Sequence, residues 1–165
     1  MDYQLIVPYI PNLRRYARAL IGDREGADDL VQDTLERAVR KFHLWRPGDL
    51  RAWLFSIMHN VFVNQLKARK VAYEIEIDDS IAAPQSSVTS TDLMDLDRAL
   101  AALSPDQREV VLLVALEDMT YAEVARALGV PIGTVMSRLS RAREKLRKLM
   151  EGEVQRTPQP LRVIQ

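Results

Sequence analysis

The chain has 165 residues, 47% of them apolar, enough for one ordinary domain or two small ones. It has no cysteine, which excludes disulfides and any Cys-ligated zinc, and no apolar run near the ~20 residues of a membrane span. Its 23 Lys/Arg and 23 Asp/Glu cancel, but unevenly: residues 1–72 carry +4, residues 73–97 carry −7 and residues 98–150 carry +3, so two mildly basic blocks flank a purely acidic one. Met1 runs straight into an acidic residue with no basic-then-apolar leader, so a soluble, cytoplasmic protein without membrane insertion is expected.

From Pro11, the residues Leu13, Tyr16, Ala17 and Leu20 form a helical stripe that ends at Gly22. Asp23 can cap a second helix, in which Ala27, Leu30, Val31, Leu35, Ala38, Val39 and Phe42 recur at spacings of three and four. Pro47-Gly48-Asp49 is a break followed by a cap, and a third helix runs to about Lys70 with Leu50, Leu54, Ile57, Met58 and Val61 on its apolar face. Residues 73–91 lose the period and read as a flexible acidic linker. Helix returns near Asp92 with Leu93, Leu96, Leu100 and Leu103, and Ser104-Pro105-Asp106-Gln107 is a capping box with proline at the first helical position. No alternating strand pattern recurs. The expectation is an all-α chain of two small helical domains on a tether.

Thr120-Tyr121-Ala122-Glu123 is a second capping box, opening a helix with Val124, Ala125 and Leu128 that stops at Gly129. Val130-Pro131 leads into a further helix with Ile132, Val135, Leu139, Ala142, Leu146 and Leu149 inward. The spacing Ala125, Gly129, Val135 fits a helix-turn-helix: a small residue for close crossing, a glycine for the turn and an apolar residue to seat the second helix. The outer face of that helix holds Thr134, Ser137, Arg138, Arg141, Lys145 and Lys148, hydroxyl-rich near its start and basic beyond, as base edges and phosphates require. An ordinary solvated face ending in a basic turn would look similar.

Two earlier surfaces also carry chemistry. Asp29, Gln32, Asp33 and Glu36 share a polar stripe opposite the apolar one, suited either to an interface or to a plain amphipathic helix with acids near its positive end. Trp53, Ile57, Asn60, Asn64 and Lys67 fall on one helical face. Aromatics stack on unpaired bases, amides read base edges and cations hold phosphates, although Trp53 in isolation reads more readily as core.

Asp-Leu-Val-Gln-Asp at 29–33, Trp-Leu-Phe-Ser-Ile at 53–57 with Asn60, and the run Met-Thr-Tyr-Ala-Glu-Val-Ala through Gly-Val-Pro-Ile-Gly-Thr-Val-Met-Ser-Arg-Leu to Arg-Ala-Arg at 119–143 occur in order. Together, over about residues 5–150, they resemble the extracytoplasmic-function sigma factors of bacterial RNA polymerase. The resemblance implies a region-two domain at 1–72, a linker at 73–94, a region-four domain at 95–150 and a tail at 151–165 with disorder as the default. It implies that Asp29, Gln32, Asp33 and Glu36 dock on the β′ clamp of core polymerase. Trp53, Ile57 and Asn60, with the Arg46–Arg51 loop, would receive a flipped base of the melted −10 element, with Asn64 and Lys67 nearby. Thr134, Ser137, Arg138, Arg141 and Lys145 would read the −35 duplex while the apolar face of this domain rests on the β flap. An anti-sigma factor is the further partner implied. Met136, Ser140 and Asn64 depart from the residues frequent in the family, the first two at the expense of basic or bulky contacts. The acids of the linker, among them Glu74, Glu76, Asp78 and Asp79, would suit the positively lined channel that later carries RNA.

The rival readings are a conventional helix-turn-helix regulator and an enzyme. The Asp29–Asp33 stripe and the Trp53–Asn60 helix weigh against the first. Only His43 and His59 are available as histidines, and no nucleophile elbow, phosphate-binding glycine loop or HExxH pattern occurs, which weighs against the second. No cofactor or metal is expected.

Overall fold

The structure, a computed structural model, describes residues 3–75 and 91–156. Seven α-helices follow in order among them: α1 (Ile10–Ile21), α2 (Arg24–Lys41), α3 (Leu50–Ile75), α4 (Thr91–Ala102), α5 (Pro105–Ala115), α6 (Tyr121–Leu128) and α7 (Ile132–Arg156). The described residues contain no strand, so the expected all-α class holds.

Each helix boundary has a local cause. Gly22 ends α1 at φ 90°, and the Asp23 carboxylate accepts from the Gly26 amide at 2.6 Å to start α2. Asp49 caps α3 by accepting from the Ala52 amide at 3.0 Å. Both expected capping boxes form, Ser104 with Gln107 and Thr120 with Glu123. Gly129, at φ 66°, makes the left-handed turn between α6 and α7, a conformation costing an L-residue roughly 1–2 kcal/mol.

Helices α1 to α3 form one three-helix group and α4 to α7 a second, the latter built around α7 against α4, α5 and α6. Leu13, Leu30, Leu54, Phe55, Met58 and Phe62 fill the first core, and Val110, Leu113, Val124, Val135 and Leu139 the second. The groups do not stand apart: α1 packs on α5 and α3 packs on α6, so one continuous apolar cluster runs through both. This packing is absent from the picture of two tethered domains, because periodicity reports which face a helix buries and not what covers it.

Three positions on the expected apolar stripes lie outward: Val39 at the edge of the buried face of α2, Ile132 at the first residue of α7, and Leu96 one turn before the buried Ala99 and Leu100 of α4. Helix α7 continues to Arg156, into the segment expected to be disordered; Arg147 bridges Glu144 and Glu151 at 2.7 and 3.0 Å, the spacing that supports an exposed helix. Most of the acidic linker, with Glu76, Asp78 and Asp79, lies outside the described residues, as does the tail beyond residue 156. No described helix is long and apolar enough to cross a membrane.

Candidate nucleic-acid and polymerase interfaces

The α2 stripe is open to solvent along its length. Asp29, Gln32, Asp33 and Glu36 are all exposed, and Asp33 accepts from the Gln65 side chain of α3 at 3.2 Å. Beside the stripe, Gln32, Leu35, Glu36, Val39 and Arg40 line a shallow groove of about 410 Å³. Val39, outward where periodicity turned it inward, supplies part of its apolar floor. A groove with an apolar floor, one carboxylate and one guanidinium suits an amphipathic helical partner.

The second surface lies on α3 and the turn before it. Asn60, Asn64 and Lys67 are exposed in one row, and Trp53 is half-buried with its ring edge-on to Phe42 at 6.4 Å. Ile57 is only 7% exposed and belongs to the core cluster, so in this arrangement it does not share the surface that presents Asn60. Beside Trp53 opens a cleft of about 590 Å³ lined by Leu44, Trp45, Arg46, Asp49, Ser56 and Arg126. Two indole rings, a hydroxyl and two guanidinium groups match what an unstacked base and its phosphates require. Trp45, Ser56 and Arg126 were not among the residues read from the sequence. The Trp45-Arg46 pair carries a local signal, aromatic beside cation, whereas Arg126 enters only because α6 packs on α3.

On α7, Ser137, Arg141 and Lys145 are exposed together and Thr134 is half-buried. Arg138 turns aside, half-buried, with Nη2 3.9 Å from Asp106 of α5. Ser137, Arg141 and Lys145 thus present the free face of the second helix of the helix-turn-helix, and Arg138 belongs to its flank. Met136 is 53% exposed, an apolar side chain beside Ser137.

Between the two helical groups sit buried acids. Glu109 of α5 is 2% exposed and its Oε2 lies 2.6 Å from His59 Nδ1 of α3. Glu117, 3% exposed in the α5–α6 turn, takes Arg15 Nη2 at 3.3 Å on each oxygen. Desolvation raises the pKa of both carboxyls, against the pull of His59 on Glu109 and of Arg15 on Glu117. The hydrogen bond from Arg51 lowers that of Glu123. A raised folded-state pKa contributes stability that is complete below the ordinary carboxylate value of 4.5 and is lost as pH rises through the folded value. The depressed Glu123 does the reverse, losing its contribution as pH falls through its folded value. The urea midpoint of the wild type should therefore gain more on acidification from pH 7 to about 5 than that of E109Q/E117Q. Parallel pH profiles would contradict this.

The chain thus carries two helical modules, one a helix-turn-helix and the other bearing an aromatic–amide surface and an exposed acidic stripe. Residues 6–59 match the family model described as the sigma2 domain of PhyR, and residues 93–146 match that of sigma-70 region 4. An ECF RNA polymerase sigma factor EcfG of Rhodopseudomonas palustris is 37% identical over 150 residues, spanning 88% of this chain and 82% of the relative. An ECF sigma factor SigL of Mycobacterium tuberculosis is 34% identical over 148 residues, spanning 84% and 82%. Among solved structures, the sigma factor RpoE in complex with the anti-sigma factor NepR from Bartonella quintana superposes with a TM-score of 0.77 at 36% identity, covering 90% of this chain and 95% of that one. CnrH in complex with the cytosolic domain of CnrY gives 0.68 at 29% identity, covering 90% and 86%. The chain belongs to the extracytoplasmic-function family of RNA polymerase sigma factors.

Proposed function

We propose that this chain directs core RNA polymerase to specific promoters in the cytoplasm and acts by binding, with no bond chemistry of its own. The observation that carries this reading is the presence on one chain of two separate faces, the exposed Ser137, Arg141 and Lys145 on the second helix of a helix-turn-helix and the exposed Asn60, Asn64 and Lys67 beside the half-buried Trp53, which suit duplex and single-stranded DNA respectively. Asp29, Gln32, Asp33 and Glu36 capture the β′ clamp, and the second module rests on the β flap. Each module alone binds DNA weakly, and joining them raises the effective concentration of the second contact. The −35 surface fixes position, with Thr134 at its edge and Arg138 able to join it by leaving the long contact with Asp106. The −10 surface takes unpaired bases, returning the few kcal/mol of lost stacking through its aromatic and amide contacts. The anti-sigma factor NepR bound to the structural relative RpoE supports a partner of that kind here, covering the polymerase-binding surfaces.

Residues 6–59 match the sigma2 domain of PhyR, and a PhyR of Bartonella quintana is described as an anti-anti-sigma factor complexed with the anti-sigma factor NepR, which gives a second reading, in which the chain occupies an anti-sigma factor. Run-off transcription with purified core polymerase on promoters selected from a random library separates the two. Transcripts support the first reading and their absence the second. In the same assay R141A should lose mainly its −35 dependence, by about 1–3 kcal/mol of base discrimination. Equal activity of R141A and wild type on promoters with and without a −35 element would reject that surface.

A further inference from the structure

Helix α7 has two unlike flanks on its outer side. At about 100° per residue, Ile132 and Met136 fall on one flank and Thr134, Arg141 and Lys145 on the other, with Gly133, Ser137 and Ser140 on the crest between them. Val135, Leu139 and Ala142 hold the opposite side in the core. The cationic flank is what phosphates and guanine edges require. They do not account for the apolar flank. Ile132 is 49% exposed and Met136 53% exposed, at the end of the helix nearest the turn. Met136 shares a shallow cleft of about 370 Å³ with Tyr121, the first residue of α6.

The crest is made of small residues. A Cβ on Gly133 would meet nothing within 4 Å, so packing inside the chain does not require glycine there, and glycine is a weaker helix former than alanine. The Ser137 hydroxyl donates to the Thr134 carbonyl at 3.2 Å and stays close to the helix. A low crest lets the helix backbone approach the floor of a major groove, leaving the flanking side chains to reach the base edges. Arg138 is drawn aside, 3.9 Å from Asp106. In the first turns of α7, the long side chains left at the exposed surface are therefore apolar.

The major groove of DNA offers one apolar group, the methyl of thymine, among hydrogen-bond donors and acceptors. Methionine is unbranched and polarizable and adapts its shape to such a target. We infer that Met136, with Ile132 beside it, packs on a thymine methyl of the −35 element. The position where the sequence forgoes a basic contact thus reads an A·T pair. The inference rests on the reading of α7 as the −35 surface and adds a base preference to it.

Holoenzyme is assembled from core polymerase and the full chain, and promoters are selected from a random library. The −35 element recovered should hold at least one fixed A·T pair. Each thymine of that element, on either strand, is then replaced by deoxyuridine, which lacks only the methyl. At one position this change should weaken binding by wild-type holoenzyme about four-fold, equivalent to ~0.8 kcal/mol. M136A should bind the thymine promoter at least as weakly as the wild type binds the uracil one. It should lose nothing further on uracil, because the two changes remove one contact. R141A, on the other flank, should bind more weakly yet keep the four-fold preference for the methyl. Met136 is exposed, and far-ultraviolet circular dichroism confirms that M136A folds. A −35 element of G·C pairs alone overturns the inference, as does M136A that keeps the methyl preference of the wild type. Indifference of the wild type to uracil at every position of an element on which transcription depends also overturns it, and leaves the −35 surface standing. Transcription that needs no −35 element removes that surface and the inference with it.

Discussion

Replacing Asn60 by alanine should leave the protein folded and cut promoter opening by ten- to hundred-fold, a loss of about 1–3 kcal/mol for an amide that reads an unpaired base. Asn60 is exposed on α3 in the row that continues to Asn64 and Lys67, so its removal opens no cavity and should change stability by less than about 0.5 kcal/mol. This separates it from Trp53, which packs edge-on against Phe42 and whose truncation would lose core packing together with a stacking platform. Permanganate reactivity of thymines around −10 in heparin-resistant complexes reads the effect. N60A should bind core polymerase like the wild type and leave those thymines protected. Full reactivity in N60A would remove Asn60 from the single-strand surface.

The second large effect concerns capture of polymerase. D29R/D33R reverses two exposed charges on α2 without touching its buried side, where Leu30, Val31 and Thr34 hold the helix to its neighbours. The structural loss is confined to the exposed bond between Asp33 and Gln65. If the stripe and its apolar groove form the docking surface, each reversal removes an attraction and adds a repulsion. Hot-spot losses of about 2 kcal/mol each would weaken core binding by two to three orders of magnitude. Titration of labelled chain with core polymerase measures it, with K148A as an exposed control on α7 beyond the named −35 contacts. An unchanged dissociation constant for D29R/D33R would place the docking surface elsewhere.

Local chemistry was the legible part of this fold. Capping boxes at Ser104 and Thr120, the glycine turn at Gly129 and the caps Asp23 and Asp49 are short-range features whose causes lie within four residues, and each forms as read. The exposed stripes on α2 and α7 follow from the same periodicity. What sequence could not show is the pairing of distant polar residues. Glu109 stands amid an apolar run and reads as an interruption, yet it is buried because His59, 50 positions earlier, is there to meet it. Arg108 reads as a surface cation and is instead committed to carbonyls at the ends of α1 and α4. Ile57 was placed with Trp53 and Asn60 by angle alone, and a few tens of degrees around α3 separate the exposed row from the core. Arg126 acquires its position at the cleft, and Arg51 its contacts with Glu123 and the Glu117 carbonyl, only when α6 lies on α3, a contact with no signature in either helix.

Order of addition separates a polymerase subunit from a free-standing DNA binder: purified chain is mixed with core polymerase without DNA, and promoter DNA is added afterwards. A stable one-to-one complex is expected before DNA is present, and transcripts from defined start sites only when chain, core and promoter are combined. Tight binding of the chain alone to a double-stranded site, with no affinity for core polymerase, would contradict a promoter-directing role.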